Sequence, residues 1–337
     1  MSYKLRRLVI KPTMACTAHC PSCALRLELY EQFRHEKSLD FEQWRVIIED
    51  AHRLGCTDLH ISGGEPTLYP ELIELIKTGT RLGMATNVNT NGSRIPPDLA
   101  QGLGEAGLDS VTVSLYSWRA QVHDQARQEP GLFERAIGAI DRLQAQPGLL
   151  VDLQTLLANY NVLDFDRFLG MAYQLGVGYI YVSYMEGDVE KRWLPTLDQI
   201  RQFRAEVLPR AEALIHRYAP PELREETLAR VEGALPDDVQ RARRFASGIY
   251  HPDGKPGCPR PYNFALVLAN GQVHPCNGVE YCHEPVMGNA HKSRLIDLWA
   301  SPIWERFRVE RMEWCHRCPM NLHFRIPIRG EKRCEYS

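Results

Sequence analysis

Residues 8–23, LVIKPTMACTAHCPSC, place three cysteines directly after a short apolar run. The run Leu8–Thr13 is rich in aliphatic residues and predicts a β-strand. Cys16, Cys20 and Cys23 follow it with the spacing C-x3-C-x2-C. Three thiolates this close in sequence cannot all ligate from one helix or strand. The segment therefore predicts a loop that wraps around a metal centre.

Two kinds of metal centre fit such a loop. Three cysteines on a cuboidal iron–sulfur cluster leave one iron open to a ligand that is not protein. A zinc ion with His19 as its fourth ligand is the alternative. The spacing alone leaves both possibilities open.

Downstream of this loop, short apolar runs alternate with amphipathic helical patterns. The predicted strands are Leu8–Thr13, Thr57–Ser62, Ala85–Thr90, Ser110–Leu115, Leu150–Leu156 and Val177–Tyr184. Between the first two, Asp40–Leu54 carries apolar residues at helical spacing behind a capping Asp. Six strand–helix units predict parallel strands joined by crossovers. The predicted fold class is α/β, as a partial (β/α)6 TIM barrel, with a doubly wound open sheet as the alternative.

Glycine and polar residues follow three of these strands. A GGE segment at 63–65 follows the second strand, Asn89 and Thr90 end the third, and Ser114 ends the fourth. Barrel active sites are built at the carboxyl ends of the strands. Glycines at such a position let the backbone approach a ligand closely. We therefore expect a site at this rim, above the cysteine loop.

These motifs, in this order, resemble the radical S-adenosylmethionine (SAM) enzymes over about residues 5–190. The resemblance implies that Cys16, Cys20 and Cys23 hold a [4Fe–4S] cluster whose open iron SAM chelates. The residues it implies for SAM binding are Gly63, Gly64, Glu65, Asn89, Thr90 and Ser114. Gln154, on the fifth strand, is a further candidate for this site, with a side chain that faces SAM or the substrate. One position departs from the family, since Ser22 stands where an aromatic residue usually stacks near the adenine.

The resemblance also implies a chemistry. One electron passes through the cluster and cleaves SAM to methionine and a 5′-deoxyadenosyl radical. A reductant such as flavodoxin or ferredoxin would supply that electron. The cofactor provides the reactivity, while the protein orients the substrate and excludes water.

Six of the ten cysteines lie in the last 80 residues. The pattern of Cys258, Cys276, Cys315 and Cys318 resembles the auxiliary-cluster domains called SPASM and twitch. The SPASM form needs a longer series of closely spaced cysteines, but no cysteine lies between Cys318 and Cys334. We therefore expect the twitch form, with one auxiliary [4Fe–4S] cluster. A zinc ribbon is the alternative.

The predicted organisation has three parts. A radical SAM barrel occupies residues 1–190, a charged helical connector 191–250, and the auxiliary-cluster domain 251–337. Within the last part, FALVLANGQVHPC predicts a β-hairpin that turns at Asn270-Gly271.

Twitch-type relatives include aminocyclitol dehydrogenases and aminoglycoside epimerases. This implies hydrogen abstraction from a small sugar-, aminoglycoside- or cyclitol-like metabolite, with an epimerised or dehydrogenated product. Cys282 is the candidate thiol that returns a hydrogen atom in an epimerase, and Glu186 and Tyr184 are the candidate proton-handling groups. Only fifteen residues precede Cys16, so we expect no leader-peptide-binding domain and a small-molecule substrate. The alternatives are an enzyme of the same superfamily that modifies a peptide, decarboxylates or forms carbon–carbon bonds, and a non-catalytic zinc protein.

Composition excludes other classes of protein. The 337 residues are 44% hydrophobic and 24% charged, as in an ordinary globular protein rather than a disordered or fibrous one. A net charge of −2 gives no basic field for nucleic acid or an anionic membrane. No apolar stretch spans a bilayer and no signal peptide opens the chain. We therefore expect a cytoplasmic protein whose cysteines are ligands rather than disulfides.

Overall fold

The structure is a computed structural model that describes residues 3–23, 36–184, 191–247, 258–277, 285–309 and 324–329. The strands in these ranges are β1 (Arg7–Lys11), β2 (Asp58–Ile61), β3 (Ala85–Thr90), β4 (Ser110–Ser114), β5 (Leu150–Leu156), β6 (Tyr179–Ser183), β7 (Phe264–Leu268), β8 (Gln272–His274), β9 (Gly288–Asn289) and β10 (Phe324–Pro327). The α-helices are α1 (Phe41–Arg53), α2 (Leu72–Arg81), α3 (Pro97–Glu105), α4 (Ala120–Arg127), α5 (Leu132–Gln144), α6 (Phe165–Leu175), α7 (Leu197–Gln202), α8 (Leu208–Tyr218), α9 (Arg224–Glu232), α10 (Val239–Ala246), α11 (Arg260–Asn263), α12 (Leu295–Trp299) and α13 (Pro302–Val309).

Strands β1 to β6 lie side by side in chain order, and each is parallel to the next. Helices on the connections between them cover the outer face of this sheet. The predicted α/β fold with a partial (β/α)6 barrel is therefore confirmed. Because all six strands run the same way, their carboxyl ends form one rim.

Helix α1 shows how the sequence specifies these elements. Asp40 accepts the backbone amide of Gln43 at 2.9 Å, and the Gln43 side chain accepts the amide of Asp40 at 3.1 Å. This reciprocal cap stabilises the start of the helix by about 1 kcal/mol. Trp44, Ile47 and Ile48 then bury one helix face in the core.

Side chains alternate between the two faces of each barrel strand. Along β3, Thr86, Val88 and Thr90 are buried, while Asn87 and Asn89 between them are only half-buried. Successive side chains of a strand point to opposite faces. The buried set faces the helices, so Asn87 and Asn89 line the lumen of the barrel.

The end of the chain joins the barrel sheet on both sides. Strands β7 and β8 form the predicted hairpin, and Gly271 in its turn has a φ of +83°, as glycine permits. Strand β7 pairs in parallel with β1, so that Leu266 lies opposite Val9. Strand β10 pairs antiparallel with β6 at the other edge. The segment predicted as a separate small domain thus contributes strands to both edges of the barrel.

Residues 191–247, which belong to the predicted connector, are largely helical. Its helices α7 to α10 are joined by a π-helical turn at Phe203–Val207 and a 3-10 turn at Pro221–Leu223. Phe203 is fully buried against Phe165 of α6, with ring centroids 6.2 Å apart. In the part of the chain that the structure describes, no helix is both long enough and apolar enough to cross a membrane.

Candidate active site

The cysteine loop follows β1 and is fastened to the segment after β2. The backbone amide of Gly64 donates to the carbonyl of Thr13 at 2.9 Å, and that of Glu65 donates to Ala15 at 2.8 Å. These two bonds hold the start of the loop against the rim of the barrel. The GGE segment thus fixes where the three cysteines emerge.

The two glycines are needed because this approach is so close. A Cβ on Gly63 would lie 2.5 Å from the Thr13 carbonyl oxygen, and one on Gly64 would lie 2.1 Å from the Ala15 oxygen. Gly63 also has a φ of +138°, which other residues rarely adopt. The two glycines therefore allow the backbone of the cysteine loop to pack directly against this segment.

The three thiols lie on the inner side of this loop. Cys20 is buried and Cys16 and Cys23 are half-buried, and all three pack with Ala18 and Leu132. Among the described residues, no three His, Cys, Asp or Glu side chains are grouped closely enough to ligate one ion. A zinc site needs such a group. In a cuboidal cluster, by contrast, each thiolate binds a different iron, so the three sulfur atoms need not converge on one ion.

A buried arginine faces these thiols. Arg127, the last residue of α4, is 7% exposed and stacks on the ring of Tyr116 with its Cζ 4.6 Å from the centroid. Burial alone would lower the pKa of Arg127, but negative charge on Cys20, Tyr116, Cys16 and Cys23 more than reverses this and raises it. The guanidinium therefore stays charged and offsets the charge of cluster thiolates.

No sequence pattern predicted a role for Arg127 at this site. A cation in the last turn of a helix is ordinary helix chemistry, and α4 has too few apolar residues to be predicted. The Arg127 carbonyl also accepts the His19 amide at 2.9 Å, which ties the end of α4 to the cysteine loop. Its Nε is buried and meets no acceptor among the described residues.

Burial raises the pKa of the Cys16 thiol, and the Glu65 carboxylate raises it further, while the Ala18 backbone and Arg127 act in the other direction. Because a metal ligand must be a thiolate, binding of a cluster would displace the Cys16 proton. Metal binding of this kind is coupled to pH.

The carboxylate of Glu65 is fully engaged within the protein. Its Oε1 accepts from the Thr67 amide at 3.2 Å, the Thr67 hydroxyl at 2.8 Å and the Thr90 hydroxyl at 2.7 Å. Its Oε2 accepts the Asn91 amide at 2.7 Å. Glu65 is 0% exposed, so in this structure its side chain braces the rim.

Thr90 does not meet the expectation of a cofactor contact. It is 2% exposed, and its hydroxyl donates to Glu65 and accepts the Gly92 amide at 3.0 Å. The reason is the alternation of β3, because Asn89 faces the lumen and its neighbour must face away. The next residue, Asn91, was not predicted, yet its Nδ2 lies 3.7 Å from the Cys16 sulfur and donates to Thr17 at 2.9 Å.

The remaining residues predicted for SAM binding line the lumen. Asn89 donates to Gln154 at 3.2 Å, and Gln154 donates to Ser183 at 3.2 Å. Ser114 lies opposite Gln154 in the sheet and is half-buried. The Oδ1 of Asn89 is buried and has no partner among the described residues. The structure thus brings Asn89, Ser114 and Gln154 together at one mouth.

Of the three candidate catalytic residues, Tyr184 is the one that the structure describes. Tyr184 is 3% exposed, packs edge-on against Phe245, and donates its hydroxyl to the carbonyl of Ala234 in the connector. That placement engages the phenol in a structural contact and does not favour proton transfer. Glu186 and Cys282 lie outside the described residues.

The auxiliary cysteines are described only in part. Cys258 precedes α11 and is half-buried, and Cys276 follows β8 and is 8% exposed. Cys315, Cys318 and Cys334 lie outside the described residues. Cys56, by contrast, is a core residue whose thiol donates to the carbonyls of Arg6 and Asp58.

PqqA peptide cyclases are among the relatives of this chain. The PqqA peptide cyclase of Streptomyces rochei is 32% identical over 329 residues, which are 93% of this chain and 81% of that protein. The one of Gluconobacter oxydans is 26% identical over 308 residues, or 89% of this chain and 78% of that protein.

Solved structures share the fold. Streptococcus suis SuiB, in complex with its precursor peptide SuiA, superposes with a TM-score of 0.68 at 18% identity. The match covers 93% of this chain and 68% of SuiB. SuiB bound to S-adenosylmethionine superposes with a TM-score of 0.65.

These relatives correct the expected substrate class. Peptide cyclases act on peptides, so the prediction of a small sugar- or cyclitol-like metabolite as partner and substrate is wrong. The expectation of an epimerase or dehydrogenase finds no support among them either.

Two regions of the chain match described families. Residues 10–172 match the radical SAM superfamily, and residues 258–319 match the iron–sulfur cluster-binding SPASM domain. Together they span the cysteine loop, the lumen residues and the auxiliary cysteines. The protein therefore belongs to the radical SAM superfamily, as an enzyme with a SPASM domain that uses [4Fe–4S] clusters and SAM.

Proposed function

We infer that this enzyme modifies a peptide by radical chemistry. The observation that carries the inference is its likeness to PqqA peptide cyclases, which reaches 32% identity across 93% of the chain. Its substrate would be a segment of a precursor peptide, and its reaction the formation of a bond within that peptide. The reducing surroundings that iron–sulfur clusters need favour the cytoplasm as its compartment.

Cys16, Cys20 and Cys23 are the residues we assign to the SAM-binding cluster. The support is their shared position on one loop, the bonds from Gly64 and Glu65 that fix that loop, and the cation beside all three thiols. Cys258, Cys276, Cys315 and Cys318 are assigned to the auxiliary cluster on sequence pattern.

Asn89, Ser114 and Gln154 are assigned to SAM. They line one mouth, and the unpartnered Oδ1 of Asn89 offers an acceptor to a hydroxyl or ammonium group. The buried Nε of Arg127 offers a charge-assisted donor to an anionic group of the cofactor. Gly63, Gly64 and Glu65 act by holding the rim in place.

When bound, the cluster and SAM supply the one-electron chemistry that removes a hydrogen atom from the substrate. The chain itself contributes the positions of the polar groups that hold the ligands. The Asn89–Gln154–Ser183 hydrogen bonds fix the polar groups of the lumen before ligands arrive. Glu186 and Cys282 remain predictions for proton and hydrogen-atom transfer.

The test incubates the anaerobically reconstituted enzyme with SAM, a reductant and synthetic PqqA peptide, and in parallel with an aminocyclitol. We expect the peptide to lose the mass of two hydrogen atoms, because one new bond between two carbon atoms replaces two C–H bonds. Cys20→Ser should abolish this product, and Cys56→Ala, which removes a core thiol outside the loop, should retain it. Turnover of the aminocyclitol with the peptide left intact would contradict the proposal.

A further inference from the structure

Asn91 follows the last residue of β3, and its side chain reaches the cysteine loop. It is 3% exposed, so water does not compete for its polar atoms. Its Nδ2 lies 3.7 Å from the sulfur of Cys16 and donates to the hydroxyl of Thr17 at 2.9 Å. A side-chain amide nitrogen carries two hydrogens, one for each of these neighbours. Asn91 therefore brings a buried donor to a thiol that we assign to the first cluster.

The orientation of this amide is set by its oxygen. The two ends of an asparagine side chain are told apart by the hydrogen-bonding groups around them. The backbone amide of Ser93 donates to Oδ1 of Asn91 at 2.8 Å. Because this N–H needs an acceptor, the oxygen faces Ser93 and the NH2 group faces the cysteine loop. The position of the donor beside Cys16 thus follows from a contact that does not involve the sulfur.

Further hydrogen bonds hold Asn91 in this position. Its backbone amide donates to Oε2 of Glu65 at 2.7 Å. The Thr17 hydroxyl, which accepts from the side-chain amide, is hydrogen-bonded to the hydroxyl of Ser93 at 2.7 Å. The donor is thus fixed through both its backbone and its side chain. A dipole that is held in place in this way needs little rearrangement when charge develops beside it.

A donor at this place acts on the charge of the cluster. Hydrogen bonds to the sulfur atoms of an iron–sulfur cluster are among the features that set its reduction potential. An added electron makes the thiolates more negative, and an N–H that points at one of them stabilises that charge. Burial raises the pKa of the Cys16 thiol and the Glu65 carboxylate raises it further, so both disfavour negative charge there. The Asn91 amide opposes these two effects.

We propose that Asn91 is a positioning residue that raises the reduction potential of the SAM-binding cluster, by donating a hydrogen bond from its Nδ2 to the Cys16 thiolate. A one-electron reductant supplies the electron, and Asn91 makes its acceptance by the cluster more favourable. The inference rests on the assignment of Cys16 under the proposed function. It goes beyond that function, because it concerns the reduction step and needs no peptide.

The test is an anaerobic redox titration of the reconstituted enzyme, followed by electron paramagnetic resonance. The signal that changes on addition of SAM belongs to the first cluster, because SAM binds its open iron. Asn91→Leu keeps the approximate size of the side chain but lacks the donor. At a fixed applied potential we expect its ratio of reduced to oxidised cluster to fall about fivefold, or roughly 40 mV for one electron. In D2O, pulsed resonance of the parent protein should show an exchangeable deuteron that this variant lacks.

Asn270→Leu is the matched control. Asn270 is also 3% exposed, and its Oδ1 likewise accepts the amide two residues ahead, from Gln272 at 3.2 Å. Its Nδ2 donates to the carboxylate of Glu36 rather than to a sulfur. This variant therefore loses the same kind of buried turn, and the potential of the first cluster should stay unchanged. An equal fall in both variants would assign the effect to the turn and overturn the proposal.

Iron content and thermal unfolding show whether each variant is loaded and folded. An unchanged potential in loaded Asn91→Leu overturns the proposal. If that variant takes up no iron, Thr17→Val decides, because it keeps the donor but removes the hydroxyl that orients it. There we expect about a twofold fall in the same ratio, and no change overturns the proposal. Cys16→Ser tests the assignment beneath it, since a retained SAM-sensitive signal would overturn the place of Cys16 in the cluster as well.

Discussion

Thr90 donates its hydroxyl to Glu65 at 2.7 Å, which joins the end of the third barrel strand to the loop after the second. The same carboxylate accepts the Asn91 amide, and Asn91 reaches the sulfur of Cys16. The ends of the second and third strands are thereby linked to the cysteine loop beside one buried carboxylate. The site is built on this brace, and its removal should disturb the metal centre before it disturbs the barrel.

Glu65→Gln should destabilise the protein and lower its iron content. The NH2 group of the new side chain would face N–H and O–H groups that themselves donate to Glu65, and the charge-assisted hydrogen bonds would be lost. We expect the free energy of unfolding to fall by about 3 kcal/mol. Denaturant unfolding and iron per chain after reconstitution measure both effects. Glu71→Gln, an exposed carboxylate on the same loop, is the control, and equal behaviour of the two variants would disprove the brace.

Gly64→Ala should displace the cysteine loop. The added Cβ would lie 2.1 Å from the Ala15 carbonyl oxygen, a distance at which the backbone must move. We expect little cluster in this variant by visible absorbance, with helical content retained. Gly170 lies within α6, and a Cβ added there would lie 3.7 Å from its nearest neighbour, the side chain of Leu214. Gly170→Ala should therefore reconstitute fully and gain up to about 1 kcal/mol from helix propensity.

Arg127→Met should make the first cluster harder to reduce. A buried positive charge near thiolates favours the reduced, more negative cluster, so its loss lowers the reduction potential. Spectroelectrochemical titration measures the shift. Arg127→Lys keeps the charge but loses the planar stacking on Tyr116, and should therefore keep most of the potential while it weakens packing. An unchanged potential in Arg127→Met would contradict the assignment of Arg127 to the cluster.

His123 should make the protein sensitive to acid. Burial and, to a smaller extent, the charge of Arg127 lower its pKa to about 3, while its Nδ1 accepts the Tyr116 amide at 3.0 Å. The folded state holds the ring neutral, but the unfolded chain takes up a proton below about pH 6.5. Stability is thus full above pH 6.5 and is lost as the pH falls towards 3, by up to about 1.4 kcal/mol per pH unit.

The variant His123→Asn keeps an acceptor for the Tyr116 amide without a titrating ring. Its unfolding free energy should therefore fall less steeply between pH 6.5 and 4 than that of the parent protein. Equal slopes for the two proteins would show that His123 is not held neutral.

Tyr184→Phe should behave as a structural variant. Loss of the hydroxyl leaves the buried Ala234 carbonyl without its donor, which costs about 1–2 kcal/mol. We expect a lower midpoint of denaturant unfolding with SAM cleavage and peptide turnover unchanged per loaded chain. A variant of unchanged stability that has lost turnover would restore the catalytic role predicted from the sequence.

Periodicity predicted the barrel because each strand and helix buries one face. Helix α1 and strand β3 appear within a residue or two of their expected ends, since caps and alternation are local signals. The motif spacing likewise located the cysteine loop. These are features in which neighbours along the chain carry the information.

Prediction of the remaining site residues depends on which face of a strand or helix each residue occupies. Asn89 and Thr90 are adjacent on one strand, so both could not face the cofactor, and alternation alone could have removed one of them. Arg127 lies on a segment with a weak pattern, and only packing brings it to the cysteine loop. Tyr184 was placed at the rim, but the connector covers it, and no local signal reports a contact with Ala234 fifty residues away.

The pairing of β7 with β1 and of β10 with β6 has a consequence for biosynthesis. A ribosome that has translated the six barrel strands has still to make residues 264–268 and 324–327, which cover the two sheet edges. Until then both edges expose unpaired backbone groups, the kind of surface on which nascent chains aggregate. Shortened chains that end before Phe264 should accumulate as insoluble material. The last third of the polypeptide thus also protects the barrel from aggregation by covering its two edge strands.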